Sequence, residues 1–268
     1  MEQYGDVALV RRFTREPMDE AAATRWVNAV AALHEGPVAL RWGRETSAAR
    51  GNVPEGAFEV VEYGLRFSVD IFRGSNVGLF LDARPLRRRV GTSASGRRVL
   101  NLFSYTSAFG VHAAAGGARS TTNVDLVPST LERGAANYAR NDLPTDSRTH
   151  VRADAFEFLK RAAGRGETWD LVVVDPPPVP TMKRGRKRGG RRGRFDPRRD
   201  WAALARGARD VVAPDGELLL LSAAFGEDGF ERPVREALPD APWRELDRAA
   251  DHPGPRGEGL RALATVAP

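Results

Sequence analysis

RVLNLFSYTSAFGVHAAAGGARSTTNVD, residues 98–125, decides how this chain folds. RVLNLF and STTNVD are short, mostly apolar or β-branched runs of strand length, and the alanine-rich stretch between them suits a helix. A strand, a turn of small residues, a helix and a second strand make a βαβ unit, whose two strands lie parallel. The same alternation continues downstream. RTHVRAD (148–154), WDLVVVD (169–175) and GELLLLS (216–222) follow in order, each after a helical stretch.

Each helix carries its own punctuation. Pro128 leads into LERGAANYARN (131–141) with Leu131, Ala135 and Tyr138 aligned, and Asp154 with Glu157 forms a capping box ahead of Phe158 and Leu159. Asp196 and Pro197 start the helix through WAALARGARDVV (201–212), and Pro214, Asp215 and Gly216 turn it into the next strand. FERPVREAL (230–238) reads as a further helix and LRALATV (260–266) as a last strand. The pattern predicts an α/β fold over residues 73–268: a doubly wound, Rossmann-like sheet covered on both faces.

The texture of residues 1–72 is different. DVALVRRF (6–13) reads as a strand, and Pro17 opens a helical stretch with Trp26, Val27, Val30 and Leu33 on one stripe, closed by Gly36. VALRW (38–42), FEVVEY (58–63) and LRFSVDIF (65–72) add three strands. This front segment is expected to be a small α+β domain, one sheet packed on one helix.

Composition narrows the chemistry. With 268 residues, 41% hydrophobic and 28% charged, the chain has room for one large core and a smaller companion. No run reaches the 18 or more apolar residues of a membrane span, and no apolar leader precedes the first strand, so a cytoplasmic protein with no membrane partner is expected. The complete absence of cysteine excludes thiolate metal sites and any cysteine nucleophile. His34, His112, His150 and His252 are scattered without metal-ligand spacing, so no metal is expected. The net charge is +6, but KRGRKRGGRRGR (183–194) carries eight basic residues and no acid, and removing those eight leaves −2. Lys183, Arg184, Arg186, Lys187, Arg188, Arg191 and Arg192 are therefore candidate contacts to RNA phosphates.

In a doubly wound sheet ligands sit beyond the carboxyl ends of the strands. After RVLNLF the small and hydroxyl residues SYTSAFG let backbone amides approach a polar ligand. Asp125 ends the next strand, where a carboxylate can accept both hydroxyls of a ribose, or simply cap a helix. Asp154, with Phe156 beside it, suits an adenine amino group, or again a helix cap. Asp175, Pro176, Pro177 and Pro178 end the fourth strand, and consecutive prolines fix φ and remove donors. A carboxylate there can orient a flat amine or ring nitrogen toward an electrophile by positioning. The series describes an adenosine cofactor next to a transfer site. G-x-G-x-x-G and G-x-x-x-x-G-K-[ST] are both missing after the first strand, which argues against a nicotinamide dehydrogenase and a P-loop enzyme.

GLFLDARPLRRRV (78–90), residues 101–126, the DPP at 175–177, FDPRRDW (195–201) and ADHP (250–253) resemble the 23S ribosomal RNA large-subunit methyltransferases, in their 5-methylcytidine and 7-methylguanosine branches. The resemblance runs from about residue 57 to the C-terminus. It implies a class I methyltransferase that uses S-adenosylmethionine and leaves S-adenosylhomocysteine. By resemblance Phe80, Asp82 and Arg84 help close the cofactor pocket, and Phe103, Ser104, Tyr105 and Thr106 hold the methionine part. Asp125 with Leu126 takes the ribose, Asp154 with Ala155 and Phe156 the adenine, and Asp175, Pro176 and Pro177 border the acceptor base as the catalytic motif.

Three departures bear on the acceptor. The cytidine branch has a cysteine where this chain has Ala223, in LLSAAFG (220–226). Cytosine C5 needs covalent activation by such a thiol, whereas a guanine ring nitrogen or amino group needs only alignment. Pro178 and Val179 follow the DPP where the family carries a small residue and an aromatic, and Ser107 replaces a glycine. Methylation of a guanine nitrogen in RNA is the leading expectation. The alternative is a small-molecule enzyme, either transferring the methyl group or attacking the methionine chain internally.

Overall fold

The computed structural model describes residues 1–12, 19–42, 45–72, 76–178, 195–223, 227–246 and 260–265. They form two compact units, Met1–Leu81 and Asp82–Pro268, whereas the sequence divides the chain after residue 72.

In the first unit β1 (Glu2–Tyr4), β2 (Val7–Arg12), β3 (Val38–Trp42) and β4 (Glu45–Arg50) form a sheet in the order β1-β2-β3-β4. Strands β2 and β3 are parallel, joined by α1 (Glu20–Ala31). Asp19 caps that helix, its carboxylate accepting from the Ala22 amide at 2.6 Å. Two sequence expectations are corrected here. The face that α1 buries runs through Ala23 and Val27, while Trp26 is 54% and Leu33 88% exposed. Helical spacing alone could not separate these faces, because apolar residues sit on both. The segments FEVVEY and LRFSVDIF form β5 (Ala57–Glu62) and β6 (Leu65–Asp70), which among the described residues pair only with each other, in a two-stranded antiparallel sheet. Strands β1 and β4 have no apolar alternation, and sequence periodicity missed them.

The second unit starts with a 3₁₀ turn (Leu81–Ala83) and α2 (Arg84–Ser93), with Pro85 at its first turn. Then come β7 (Arg98–Leu102), α3 (Ala108–Ala115), β8 (Ser120–Asp125), α4 (Pro128–Arg140), β9 (His150–Arg152), α5 (Ala155–Gly164) and β10 (Trp169–Val174). After the stretch from 179 to 194, α6 (Trp201–Arg209), β11 (Val212–Ser222), a π-helical turn (Glu227–Glu231), α7 (Arg232–Ala237), β12 (Trp243–Glu245) and β13 (Arg261–Thr265) complete it. The seven strands run β12-β13-β11-β10-β7-β8-β9. The five from β11 to β9 are parallel, and β13 is antiparallel to β11 and to β12. Only β12, three residues long, was invisible to sequence patterning.

Strand alternation explains why both faces of this sheet are covered. Leu100, Leu102, Val172, Val174, Leu218 and Leu220 point to the side of α5, α6 and α7, where they meet Leu159, Trp201, Leu204 and Val234. Val99, Leu171, Val173, Leu219 and Leu221 point to the other side, against Leu86 and Val90 of α2 and Phe109 and Ala113 of α3. Every other residue of a near-continuous apolar run therefore feeds a different core, each side chain contributing about 1.5–3 kcal/mol.

A polar chain crosses this apolar frame. Asn101 donates to Asn123 (2.9 Å), Asn123 donates to the Tyr138 hydroxyl (3.0 Å) and to the Thr149 carbonyl (3.1 Å), and Tyr138 donates to Thr121 (2.7 Å). Burial pushes the Tyr138 hydroxyl up to about 12, so it stays a neutral donor. The chain ties β7, β8, α4 and the residue that leads into β9 together and fixes the height of β8 in the sheet.

Candidate active site at the strand carboxyl ends

Strand order reverses between β7 and β10, and a crevice outside the strand ends is expected there. The Asp175 amide donates to the Leu102 carbonyl at 3.4 Å, the last ladder bond before the prolines begin. Three acidic side chains and one turn surround this point.

The turn is residues 103–107. Phe103, Tyr105 and Ser107 have φ of +56°, +49° and +60°, alternating with residues of ordinary sign. Left-handed conformations of non-glycine residues cost of order 1–3 kcal/mol each and cluster at ligand sites, because alternating signs turn successive amides into one concavity. Ser107, which stands where the resembling family has glycine, is one of the three, so its strain gives that glycine a physical reason. The turn is held from below. The Ser104 amide donates to the Val124 carbonyl (3.0 Å), the Tyr105 amide to the Asp125 carboxylate (2.9 Å), and Asn137 of α4 to the Thr106 carbonyl (3.1 Å). The Ser104 and Ser107 hydroxyls are buried with no hydrogen-bond partner among the described residues.

Asp125, at the end of β8, accepts from the Tyr105 and Val127 amides (both 2.9 Å) and the Thr130 hydroxyl (3.2 Å). A carboxylate offers about four acceptor positions, so one remains. Leu126 and Val127 beside it are 46% and 47% exposed, an apolar pair where solvent alone would favour polar residues. Asp154 caps α5, taking the Phe156 and Glu157 amides (3.1 and 3.2 Å) on one oxygen. Its second oxygen has no hydrogen-bond partner among the described residues. Ala155 is buried, and Phe156 is partly buried against the core. Helix capping and ligand binding are thus compatible here, since each uses a different oxygen.

Asp175 is only partly accessible, and its carboxylate accepts no hydrogen bond from the described residues. Burial pushes its pKa up to about 7; Asp82 adds to the rise and Arg87 opposes it. Asp82 accepts from the Ala83 amide (3.0 Å), and Arg87 is buried on α2 within RPLRRRV. Arg87 is not among the site residues expected from the sequence. Its signal was an arginine three residues after Arg84, in a helix whose other inward positions are apolar. Arg84 opens α2 half-buried; Phe80 belongs to the first unit, where it is 37% exposed. Pro176 is buried and Pro178 exposed. Phe103 meets Phe195 at 5.7 Å, and Phe195, Trp201 and Phe230 stack in series behind it. The motif FDPRRDW is therefore scaffold for the turn at 103. The basic residues 183–192 and the ADHP motif lie outside the described residues.

The donor set fits an adenosine-bearing sulfonium cofactor. Ser104 offers an unpartnered buried hydroxyl beside the strained turn, Asp125 one remaining acceptor position, and Asp154 one unpartnered oxygen. Among the described residues no group of three His, Asp or Glu could hold a metal ion, and no helix is long and apolar enough to cross a membrane.

The chain is 40% identical over 161 residues to ribosomal RNA large subunit methyltransferase K of Neisseria meningitidis, covering 60% of this chain and 44% of that protein. It is 34% identical over 256 residues to a ribosomal RNA large subunit methyltransferase of Deinococcus radiodurans, covering 92% of this chain and 56% of that one. The chain thus spans about half the length of these curated relatives. A solved structure described as a methyltransferase in complex with SAH superposes with a TM-score of 0.83 over 98% of this chain and 70% of that chain, at 24% identity. Another, described as a SAM-dependent methyltransferase from Streptococcus mutans, superposes at 0.79 over 97% and 69%, at 25% identity. The profile of the S-adenosylmethionine-dependent methyltransferases matches residues 7–239, and the chain belongs to that family.

Proposed function

We propose that this chain methylates a nitrogen of an RNA base, a guanine ring nitrogen or amino group in ribosomal RNA, with S-adenosylmethionine as donor. The observation that carries the reading is the ordered series of acceptors at three strand ends, Asp125, Asp154 and Asp175, beside the strained turn. When bound, the cofactor supplies an electrophilic methyl group on its sulfonium. Phe103, Ser104, Tyr105 and Thr106 cradle the methionine part, Asp125 and Leu126 the ribose, and Asp154, Ala155 and Phe156 the adenine. Asp82 and Arg84 flank that pocket.

Asp175 is the positioning acceptor. As a carboxylate it takes a hydrogen bond from an N–H of the acceptor base and turns the nitrogen lone pair toward the methyl group, while Pro176 and Pro177 keep the backbone rigid beside it. This sequence holds no cysteine to activate a pyrimidine carbon, which favours a nitrogen over C5 as the acceptor atom. The relatives named for ribosomal RNA support an RNA acceptor, and Lys183, Arg184, Arg186, Lys187, Arg188, Arg191 and Arg192 are its proposed phosphate contacts. A small-molecule acceptor is the second reading, favoured by the net charge of −2 that remains without that run.

The test is incubation with labelled S-adenosylmethionine and total ribosomal RNA, with nuclease digestion and mass spectrometry of the nucleosides. Methylguanosine is the expected product. Methyl transfer to a metabolite extract with none to RNA establishes the second reading instead.

A further inference from the structure

The opposite end of the parallel sheet carries a second cavity. At the amino ends of β7, β8 and β10 a half-open pocket of about 310 Å³ is floored by Thr121, Thr122 and Trp169 and rimmed by Arg98, Arg119 and Arg148. That volume lies at the lower end of the roughly 300–1,000 Å³ range of ligand pockets. None of its residues belongs to the strand carboxyl ends described above.

The rim charges are unequally committed. Arg98 donates to the Thr168 hydroxyl (3.1 Å) and pairs with Asp170 (3.7 Å). Asp146, at the pocket edge, accepts from the Arg148 amide (2.8 Å) and the Thr149 hydroxyl (2.9 Å), which hold its carboxyl below the usual range. Glu167 faces Arg165 at 3.5 Å. Among the described residues the Arg119 guanidinium has no hydrogen-bond or ion-pair partner, and that of Arg148 makes no hydrogen bond but lies in the field of the Asp146 carboxylate. Basic side chains often gather at helix C-termini to bond the last carbonyls. The ends of α3, α4 and α5 lie on this side of the sheet, yet neither arginine makes such a bond. Two exposed guanidinium groups share the rim with the Asp146 and Glu167 carboxylates, each of which already has partners of its own.

We propose that this pocket binds a phosphate ester of about one nucleotide in size, with Arg119 and Arg148 as the paired anion ligands. A planar guanidinium matches phosphate oxygens in bidentate fashion, and two of them fix an orientation that one cannot. The same chemistry occurs in a free nucleoside monophosphate and in one phosphodiester of an RNA strand. The proposal holds whichever acceptor the catalytic end takes.

The experiment uses the full chain, wild type and Arg119→Ala/Arg148→Ala, with two probes: adenosine monophosphate by calorimetry and a labelled single-stranded RNA ten-mer by fluorescence anisotropy. Wild type is expected to bind at least one probe roughly tenfold or more tightly than the double variant. Arg119→Lys/Arg148→Lys is expected to recover part of the loss. If RNA is the source, the slope of log affinity against log salt falls by roughly 1.4 in the alanine variant, two contacts at about 0.7 each. Loss of the monophosphate alone assigns the pocket to a small ligand, and loss of RNA alone assigns it to the strand. Equal affinities in wild type and alanine variant for both probes, or no binding by wild type, overturn the proposal. S-adenosylmethionine affinity, measured on the same samples, stays unchanged, so failure here leaves the methyltransferase reading untouched.

Discussion

Asp125, Asp154 and Asp175 end three strands, and each is set up differently. The first two accept hydrogen bonds from backbone amides, so they are structural caps with acceptor capacity to spare. Asp175 has no such donors, and its raised pKa of about 7 makes it the group that responds to pH. Two outcomes follow. If the charged form positions the acceptor, methyl transfer by wild type rises with pH through about 7, while Asp175→Asn keeps its cofactor affinity and loses transfer at every pH. Stability runs the other way. The folded pKa lies above the ordinary 3.8, so the native state holds the proton longer than the unfolded chain. That contribution is fully present below about 3.8 and is lost as pH rises toward 7. Urea titrations at pH 5 and pH 8 are expected to show wild type losing more stability across that interval than Asp175→Asn. Ser107 yields a third prediction. It holds φ +60° with a buried, unpartnered hydroxyl, so Ser107→Gly relieves both and raises stability without cofactor by about 1 kcal/mol, roughly 2–4 °C in Tm by calorimetry.

The elements that carry these residues are coupled by close approach. Helix α3 packs its Gly110 directly over the polar chain of β8 and α4: a Cβ there would lie 2.2 Å from the Asn123 side-chain oxygen and 2.6 Å from the Tyr138 hydroxyl. Gly110→Ala is therefore expected to cost about 1–3 kcal/mol in urea unfolding and to weaken cofactor binding, because the same chain sets the height of β8 and Asp125. Elements of this kind were legible in the sequence because their period and their caps agree. VLNL, LVVV and LLLL could be nothing but strands buried on both faces, and Asp154 announced its helix. Helix α2 was read only as a motif, because four arginines mask its apolar Leu86 and Val90. Strands β1 and β12 are three residues long, and β4, although six, is polar and alanine-rich (ETSAAR), so none of them carries an apolar alternation to read. Among the site residues the acidic ends were legible from strand position alone. The strained turn and Arg87 were not, since left-handed φ at non-glycine residues and a buried cation depend on tertiary surroundings.

At the scale of the whole molecule, the second unit separates two kinds of chemistry onto the two ends of one sheet. The carboxyl ends collect carboxylates and a strained turn; the amino ends carry exposed arginines. The carboxyl ends are the proposed S-adenosylmethionine site, with Asp125 at its ribose position, and calorimetry of S-adenosylmethionine and S-adenosylhomocysteine with wild type and Asp125→Ala tests this most directly. Micromolar binding by wild type, weakened at least roughly tenfold in a variant that keeps its circular dichroism, is the predicted result. No binding by wild type, or equal binding by a folded Asp125→Ala, contradicts it.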